Sequence, residues 1–182
     1  MGSQEEVANR MSDDLSLRLG GTVKVKLFSI QKYPGQVKTM PGLSLDHLTL
    51  PAGGEISTYE TEPGLLEFDP HSSEIIQKTF STTVFRSLCP VTGQPDLASV
   101  MINYKGRAIS PEGLLKYLVS YRCHKGFHEQ CVEQIYHDMR TVFQPELLEV
   151  YACFTRRGGI DINPFRSSVR EQPDEVIREM RQ

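Results

Sequence analysis

The stretch RSLCPVTGQPDLASVMINYKG, residues 86–106, decides how this 182-residue chain is read. Its second half alternates, with Ala98, Val100, Ile102 and Tyr104 on one side and Ser99, Met101 and Asn103 on the other, which predicts an antiparallel strand. Its first half reads as a loop. Cys89 precedes Pro90 and is biased towards extended backbone, Thr92 and Gly93 supply turn chemistry, and Pro95 stiffens the exit. Such a loop presents a thiol and sets a carboxylate, Asp96, seven residues further on, as a nucleophile and an acid would be brought together. By itself the cysteine proves little, because free cysteine is more often a small buried hydrophobe.

Working outward, Ile75, Ile76, Phe80, Val84 and Phe85 lead into the loop as a strand or extended segment. Beyond residue 106, Ser110 followed by Pro111 and Glu112 starts a helix with the apolar stripe Leu114, Leu115, Leu118 and Tyr121. A second helix carries Phe127, Cys131, Ile135, Met139 and Val142 at helical spacing and is closed by Pro145. Leu148, Val150, Ala152 and Phe154 then alternate as a strand, and a turn at Arg157, Gly158 and Gly159 leads into a last strand from Ile160 to Phe165. Two strands, two helices and two strands make an α+β class.

The amino-terminal part differs. Residues 3–19 predict an amphipathic helix with Ala8, Met11, Leu15 and Leu19 on one face, Ser3 as N-cap and Gly20 as the stop. Val23, Val25 and Leu27 then predict a strand. Residues 31–73 are rich in Pro, Gly, Ser and Thr and read as a connector with one or two short strands near Leu45–Leu50 and Leu65–Phe68. Residues 4–30 echo residues 129–155 at an offset of 125, helix then strand, which suggests a duplication whose first copy keeps only its later half. A half-module leaves a sheet edge and an apolar helix face uncovered.

Composition excludes several classes. With 38% hydrophobic and 24% charged residues and a net charge of -3, the chain has the make-up of an ordinary folded protein. Its basic residues are scattered and their densest cluster is Arg156–Arg157, so a polynucleotide footprint is missing. No apolar run approaches the roughly 20 residues that cross a bilayer, and no secretory signal opens the chain, so a cytoplasmic location is expected. Four cysteines without a CxxC pair argue against structural zinc and against a disulfide scaffold.

A second chemical segment is FHEQC, residues 127–131, at the start of the second long helix. His128 and Glu129 fall in the first turn, where unsatisfied N–H groups face a ligand. A glutamate there can accept from the adjacent N1–H and 2-amino group of a guanine-like edge; the plainer alternative is that Glu129 complements the helix dipole and His128 lies on the surface. His47, His71, His124 and His137 read as structural or solvent-facing.

CPVTGQPD, SYRCHKGFHEQC and FTRRGGIDINP, three motifs in the same order, together resemble the 7-cyano-7-deazaguanine reductases, the NADPH-dependent nitrile reductases of queuosine biosynthesis, over residues 80–168. The resemblance implies the tunnelling fold, an antiparallel sheet with a helix pair on one face, shared with GTP cyclohydrolase I. It divides the chain into a partial amino-terminal module (1–30), a connector (31–73), a catalytic module (74–168) and a carboxyl-terminal tail (169–182). It implies that Cys89 attacks the nitrile carbon to give a thioimide, that Asp96 protonates the nitrogen, that His128 and Glu129 hold the deazaguanine, and that Arg157 and Gly158 contact NADPH. It also implies a homo-oligomer with sites where modules meet.

One departure stands out. The family's Glu-Ser-Lys-Ser signature would fall near Ser110–Gly113, which reads SPEG, with Glu112 in place of the lysine. In two-module relatives the amino-terminal module supplies that signature, so the chain is expected to be a carboxyl-terminal portion of a longer protein. Cys131, three residues after His128 on the same helix face, stands where it could pair with Cys89 under oxidation or serve as a core residue. Cys123 and Cys153 are expected to pack.

Overall fold

The computed structural model describes residues 2–29, 31, 37–50 and 55–182. Parts of the predicted connector, 32–36 and 51–54, and Ile30 at the end of the predicted first strand lie outside them. The chain divides into two units, residues 1–35 and 36–182.

In the first unit, helix α1 spans Gln4–Leu19, as its periodicity predicts. Ser3 caps it by accepting from the Glu6 amide, and Gly20 ends it in the left-handed region at φ 67°. None of its residues is buried; Met11 and Leu15 stay about 40% exposed, at 42% and 40%. The strand predicted at Val23–Leu27 does not form. Instead the amides of Val23 and Val25 donate to the hydroxyls of Ser16 (2.9 Å) and Ser12 (3.1 Å), which folds the segment back on α1. Alternation specifies a face, but a strand also needs a neighbour to receive its hydrogen bonds, and here two helix serines take that place.

The second unit is α+β, as its pattern predicts. Strand β1 (Leu43–Ser44) runs parallel to β2 (Ile75–Leu88), and β2, β3 (Pro95–Arg107), β4 (Leu147–Phe154) and β5 (Phe165–Ser167) follow in antiparallel order. Helices α2 (Pro111–Ser120) and α3 (His128–Phe143) pack on one face of this sheet. Ser110 caps α2, accepting from the Gly113 amide at 3.0 Å, with Pro111 in the first turn. The predicted stripe of α2 is buried throughout. That of α3 begins one residue later than predicted: Phe127 is 52% exposed at the N-cap, and His128 is the first buried residue.

Three predicted strands change. Leu45–Leu50 yields only the two residues of β1 before it, and Leu65–Phe68 a 3-10 turn at Pro63–Leu65 with a single bridge from Phe68 to Ile109. The last strand begins at Phe165, because Ile162 and Pro164 contact β4 only irregularly, through their carbonyls.

Ala98, Val100, Ile102 and Tyr104 face the helices with Phe80, Phe85, Leu118 and Ile135. The opposite face of β3 and β4 is covered too. Ile177 packs with Met40, Tyr151 and Cys153, and the buried Glu179 accepts from the Ser99 hydroxyl and the Met40 amide. That explains why all but the first residue of β4 is buried, where alternation predicted one wetter side. No helix among the described residues is long and apolar enough to cross a membrane.

Candidate functional site

The β2–β3 register builds the site. Ser87 pairs with Asp96 and Leu88 with Pro95, so Cys89 is the first residue beyond the paired strands. The loop closes on itself: the Cys89 amide donates to the Gln94 carbonyl (2.8 Å) and the Gly93 amide to the Cys89 carbonyl (2.9 Å). Gly93 sits at φ 69°, a left-handed conformation that its missing Cβ permits. A second clamp docks this tip beside α3, for Leu88 donates to the His124 carbonyl (2.8 Å) and accepts from the Gly126 amide (3.2 Å).

Asp96 is 2% exposed, a burial a carboxylate tolerates only with partners. The Arg157 guanidinium pairs with its Oδ1, and His128 Nε2 lies 3.4 Å from the same oxygen. The His128 ring lies flat on Phe154, with centroids 3.9 Å apart and planes 3° from parallel. Among the described residues its Nδ1 is buried without a hydrogen-bond partner. Arg157 is delivered by a two-residue turn in which Arg157 and Ile160 exchange backbone hydrogen bonds at 3.1 and 3.0 Å. Gly158 (φ 57°) and Gly159 (φ 82°) give that turn the two left-handed positions it requires.

The Cys89 thiol is partly exposed and shifted down from 9.0 to about 7. The Thr92 hydroxyl contributes most, followed by the amides of Thr92 and Val91; burial opposes them and Arg157 adds to them. Cys131 behaves oppositely, as burial pushes its thiol up to about 11. Cys153 is buried as predicted, whereas Cys123 is exposed, because it sits at the end of the short turn after α2.

The structure thus gathers Cys89, Asp96, His128 and Arg157. Glu129 does not join them: it is exposed on the outer side of α3, along a shallow groove with His124, Lys125 and Glu133, and makes no hydrogen bond or ion pair among the described residues. Neighbouring positions on a helix point about 100° apart, so burying His128 turns Glu129 outward. The sequence reading missed Phe154 as the support of His128 and Arg157 as the partner of Asp96. The signal for both was the run FTRR, which places an aromatic and a cation at the end of a strand paired with β3.

Two places can be weighed for an anionic cofactor. At residues 156–159 two arginines lead into an exposed glycine turn, and a Cβ at Gly158 would meet nothing within 4 Å, which suits a phosphate. Both arginines already hold a carboxylate, Arg156 that of Asp161 at 3.5 Å and Arg157 that of Asp96, so a phosphate there competes with an ion pair at either. At the start of α2 a groove is lined by Glu67, Asp69, Glu112, His71 and Lys116, and this acidic surface does not suit a phosphate. Among the described residues no group of three or more His, Cys, Asp or Glu is placed to hold a metal.

Residues 95–173 match a family described as QueF-like protein. The chain is 42% identical over 98% of its length to an NADPH-dependent 7-cyano-7-deazaguanine reductase of Bordetella parapertussis, and 42% identical over 99% to one of Burkholderia mallei. It spans 63% and 64% of the length of those two relatives. Among solved structures, an archaeosine synthase QueF-Like in the apo form is similar with a TM-score of 0.46 and 18% identity, over 54% of this chain and 96% of that one.

Proposed function

We propose, from a likeness to the 7-cyano-7-deazaguanine reductases that runs along nearly the whole chain, that this protein carries the covalent half of a nitrile reductase site. The observation that carries the reading is the Cys89 thiol, shifted down to about 7, beside a buried pair of Asp96 and His128. A nitrile is a weak electrophile, so its carbon needs a thiolate and its nitrogen needs a proton.

In this reading the Cys89 sulfur bonds to the nitrile carbon, one C–N electron pair moves to nitrogen, and Asp96 delivers the proton that completes the thioimide. Arg157 holds the oxygen that has to face the nitrogen, so its guanidinium withdraws as the nitrile enters. His128 Nε2, fixed by Phe154, passes the replacement proton to Asp96. Each of two NADPH molecules, bound in turn, would supply one hydride, which together would take the thioimide through an imine, with release of the sulfur, to the amine. Arg157 and the Gly158 backbone are the residues here that would hold its phosphate. In the imidazolium that passes its proton to Asp96, His128 Nδ1–H, buried and unpartnered, is a donor for an acceptor on the deazaguanine, and Glu129 holds the base edge only if the substrate reaches the outer face of α3.

The reaction belongs to queuosine biosynthesis and makes 7-aminomethyl-7-deazaguanine. We assign the tunnelling fold, with residues 1–30 as a partial module, 31–73 as connector, 74–168 as the catalytic module and 169–182 as the terminal segment. Assembly into a homo-oligomer is part of the same proposal, as is a disulfide between Cys89 and Cys131 under oxidation.

The acidic groove at the start of α2 favours a second reading, in which the chain captures the deazaguanine at Cys89 without delivering hydride. Mixing the chain with 7-cyano-7-deazaguanine and NADPH separates the two. A fall in absorbance at 340 nm supports reduction, an adduct on Cys89 without that fall supports capture, and absence of both the fall and the adduct refutes the two readings.

A further inference from the structure

The hairpin that carries Arg157 is poorly closed by its own backbone. Tyr151 pairs with Phe165, and the same register sets Ala152 opposite Pro164 and Phe154 opposite Ile162. A hydrogen-bonded antiparallel pair exchanges a bond in each direction. Here each pair makes only one: the Ala152 amide donates to the Pro164 carbonyl at 3.1 Å, and the Phe154 amide to the Ile162 carbonyl at 3.4 Å. Proline has no N–H to return the first, and the Ile162 amide does not return the second among the described contacts. The Phe154 carbonyl is taken instead by Gln182 Nε2 at 3.0 Å, and the same nitrogen donates to Asn163 Oδ1 at 2.7 Å. One carboxamide therefore spans the neck of the hairpin, with residues 155–162 beyond it.

Gln182 is itself held from elsewhere. Its Oε1 accepts from the Glu179 amide at 3.0 Å and its amide donates to the Glu179 carbonyl at 3.1 Å, which decides which end of the carboxamide carries the N–H groups. Glu179 in turn accepts from the Met40 amide and from the Ser99 hydroxyl on β3, and the Ile177 amide donates to the Tyr151 hydroxyl at 3.3 Å. The clamp thus rests on the sheet. Thr155, on the outgoing arm of the hairpin, is tied to the Leu97 carbonyl at 2.9 Å, so the returning arm is the one that depends on Gln182.

We propose that Gln182 is a positioning residue for Arg157: by closing the neck between Phe154 and Asn163 it keeps the guanidinium on Asp96. This deepens the reductase reading and rests on it for its catalytic meaning. There Arg157 leaves Asp96 as the nitrile enters, and a fixed neck returns it to the same oxygen.

The test reads the guanidinium and needs neither nitrile nor NADPH. The chain is treated with phenylglyoxal at mildly alkaline pH, and modification of Arg157 is followed by tandem mass spectrometry, with Arg140, bonded to Tyr136 on α3, as internal reference for an intact fold. Gln182→Glu keeps the shape and the acceptor for the Glu179 amide, but as a carboxylate it has no proton for Phe154 or Asn163. Gln182→Leu removes both ends. Each is expected to speed modification of Arg157 about fivefold, the rough worth of one hydrogen bond, while Arg140 stays unchanged. In an Asp96→Ala background, where Arg157 has lost its partner, Gln182→Glu is expected to add less than about twofold. An unchanged Arg157 rate in Gln182→Glu overturns the proposal. So does an effect of the same size that survives in Asp96→Ala, for that would be a general loosening of the hairpin. The expected arginine rates with no adduct from 7-cyano-7-deazaguanine would support the positioning and count against the reductase reading alone.

Discussion

The His128 imidazole lies on the Phe154 ring with its plane only 3° from parallel, which aims Nε2 at Asp96 Oδ1, 3.4 Å away. Phe154 is the last residue of β4 and is fully buried, and its carbonyl accepts from Gln182 Nε2 at 3.0 Å. A strand end, a helix start and the terminal residue of the chain therefore share one anchor.

Replacing that ring tests the anchor. Phe154→Leu keeps an apolar side chain but loses the flat surface, and we expect about 1–3 kcal/mol of lost stability from the altered packing. We also expect the Cys89 adduct with 7-cyano-7-deazaguanine to form about tenfold more slowly in protein that is still folded, because the imidazole loses its orientation. Urea unfolding gives the first quantity and intact mass against time the second; an unchanged adduct rate would show that Phe154 only packs.

Cys89 and Asp96 are separable by the same assay. Cys89→Ala is expected to abolish the adduct, and an adduct that persists would place the nucleophile elsewhere. Asp96→Asn keeps the thiol but cannot donate a carboxyl proton, so the adduct should form about 10²- to 10⁴-fold more slowly, the usual range for general acid catalysis. A rate within threefold of wild type, on the order of 0.6 kcal/mol, would remove Asp96 from the chemistry.

Much of this was legible because local pattern and tertiary context agree. The strand through Ala98–Tyr104 and the helix started by Ser110–Pro111 follow from alternation, a cap and an apolar stripe. The segment at Val23–Leu27 has alternation without a pairing partner, so sequence and structure part there. At the site, Cys89 and Asp96 could be read from one loop because the hairpin register links them. Arg157 and Phe154 could not, because 61 residues separate Arg157 from Asp96 and only the β3–β4 pairing joins them. Glu129 shows the converse: its type suits a base edge, yet the burial of His128 decides which way it points.

A buried polar network that periodicity does not announce holds α2 to α3. The Tyr117 hydroxyl donates to Asp138 Oδ2 at 2.7 Å and lies 2.8 Å from the Tyr121 hydroxyl, and Gln134 donates to Asp138 Oδ1 at 2.6 Å. Burial pushes both tyrosines well above their ordinary range, so they remain neutral donors. Tyr117→Phe leaves Asp138 short of one donor in a dry setting and is expected to cost about 1–3 kcal/mol in urea unfolding. A loss below about 0.5 kcal/mol would mean that water or Tyr121 replaces the bond.

Glu149 gives the fold a pH dependence of its own. Burial alone would raise its carboxyl, but hydrogen bonds from Arg170, Asn103 and Ser167 outweigh burial and set it below the ordinary 4.5. A carboxylate whose folded value is lowered contributes stability that is fully present above the unfolded value and is lost as pH falls through the folded one. The contribution of Glu149 should therefore be intact above about pH 5 and decline below 4.5. Glu149→Gln keeps the shape and removes the titration, so the variant should be less stable at neutral pH, and the gap to wild type should narrow as pH drops from 5 to 3. Urea midpoints across that range measure the gap; one that stays constant with pH would show that shape, and not charge, is what Arg170 recognises.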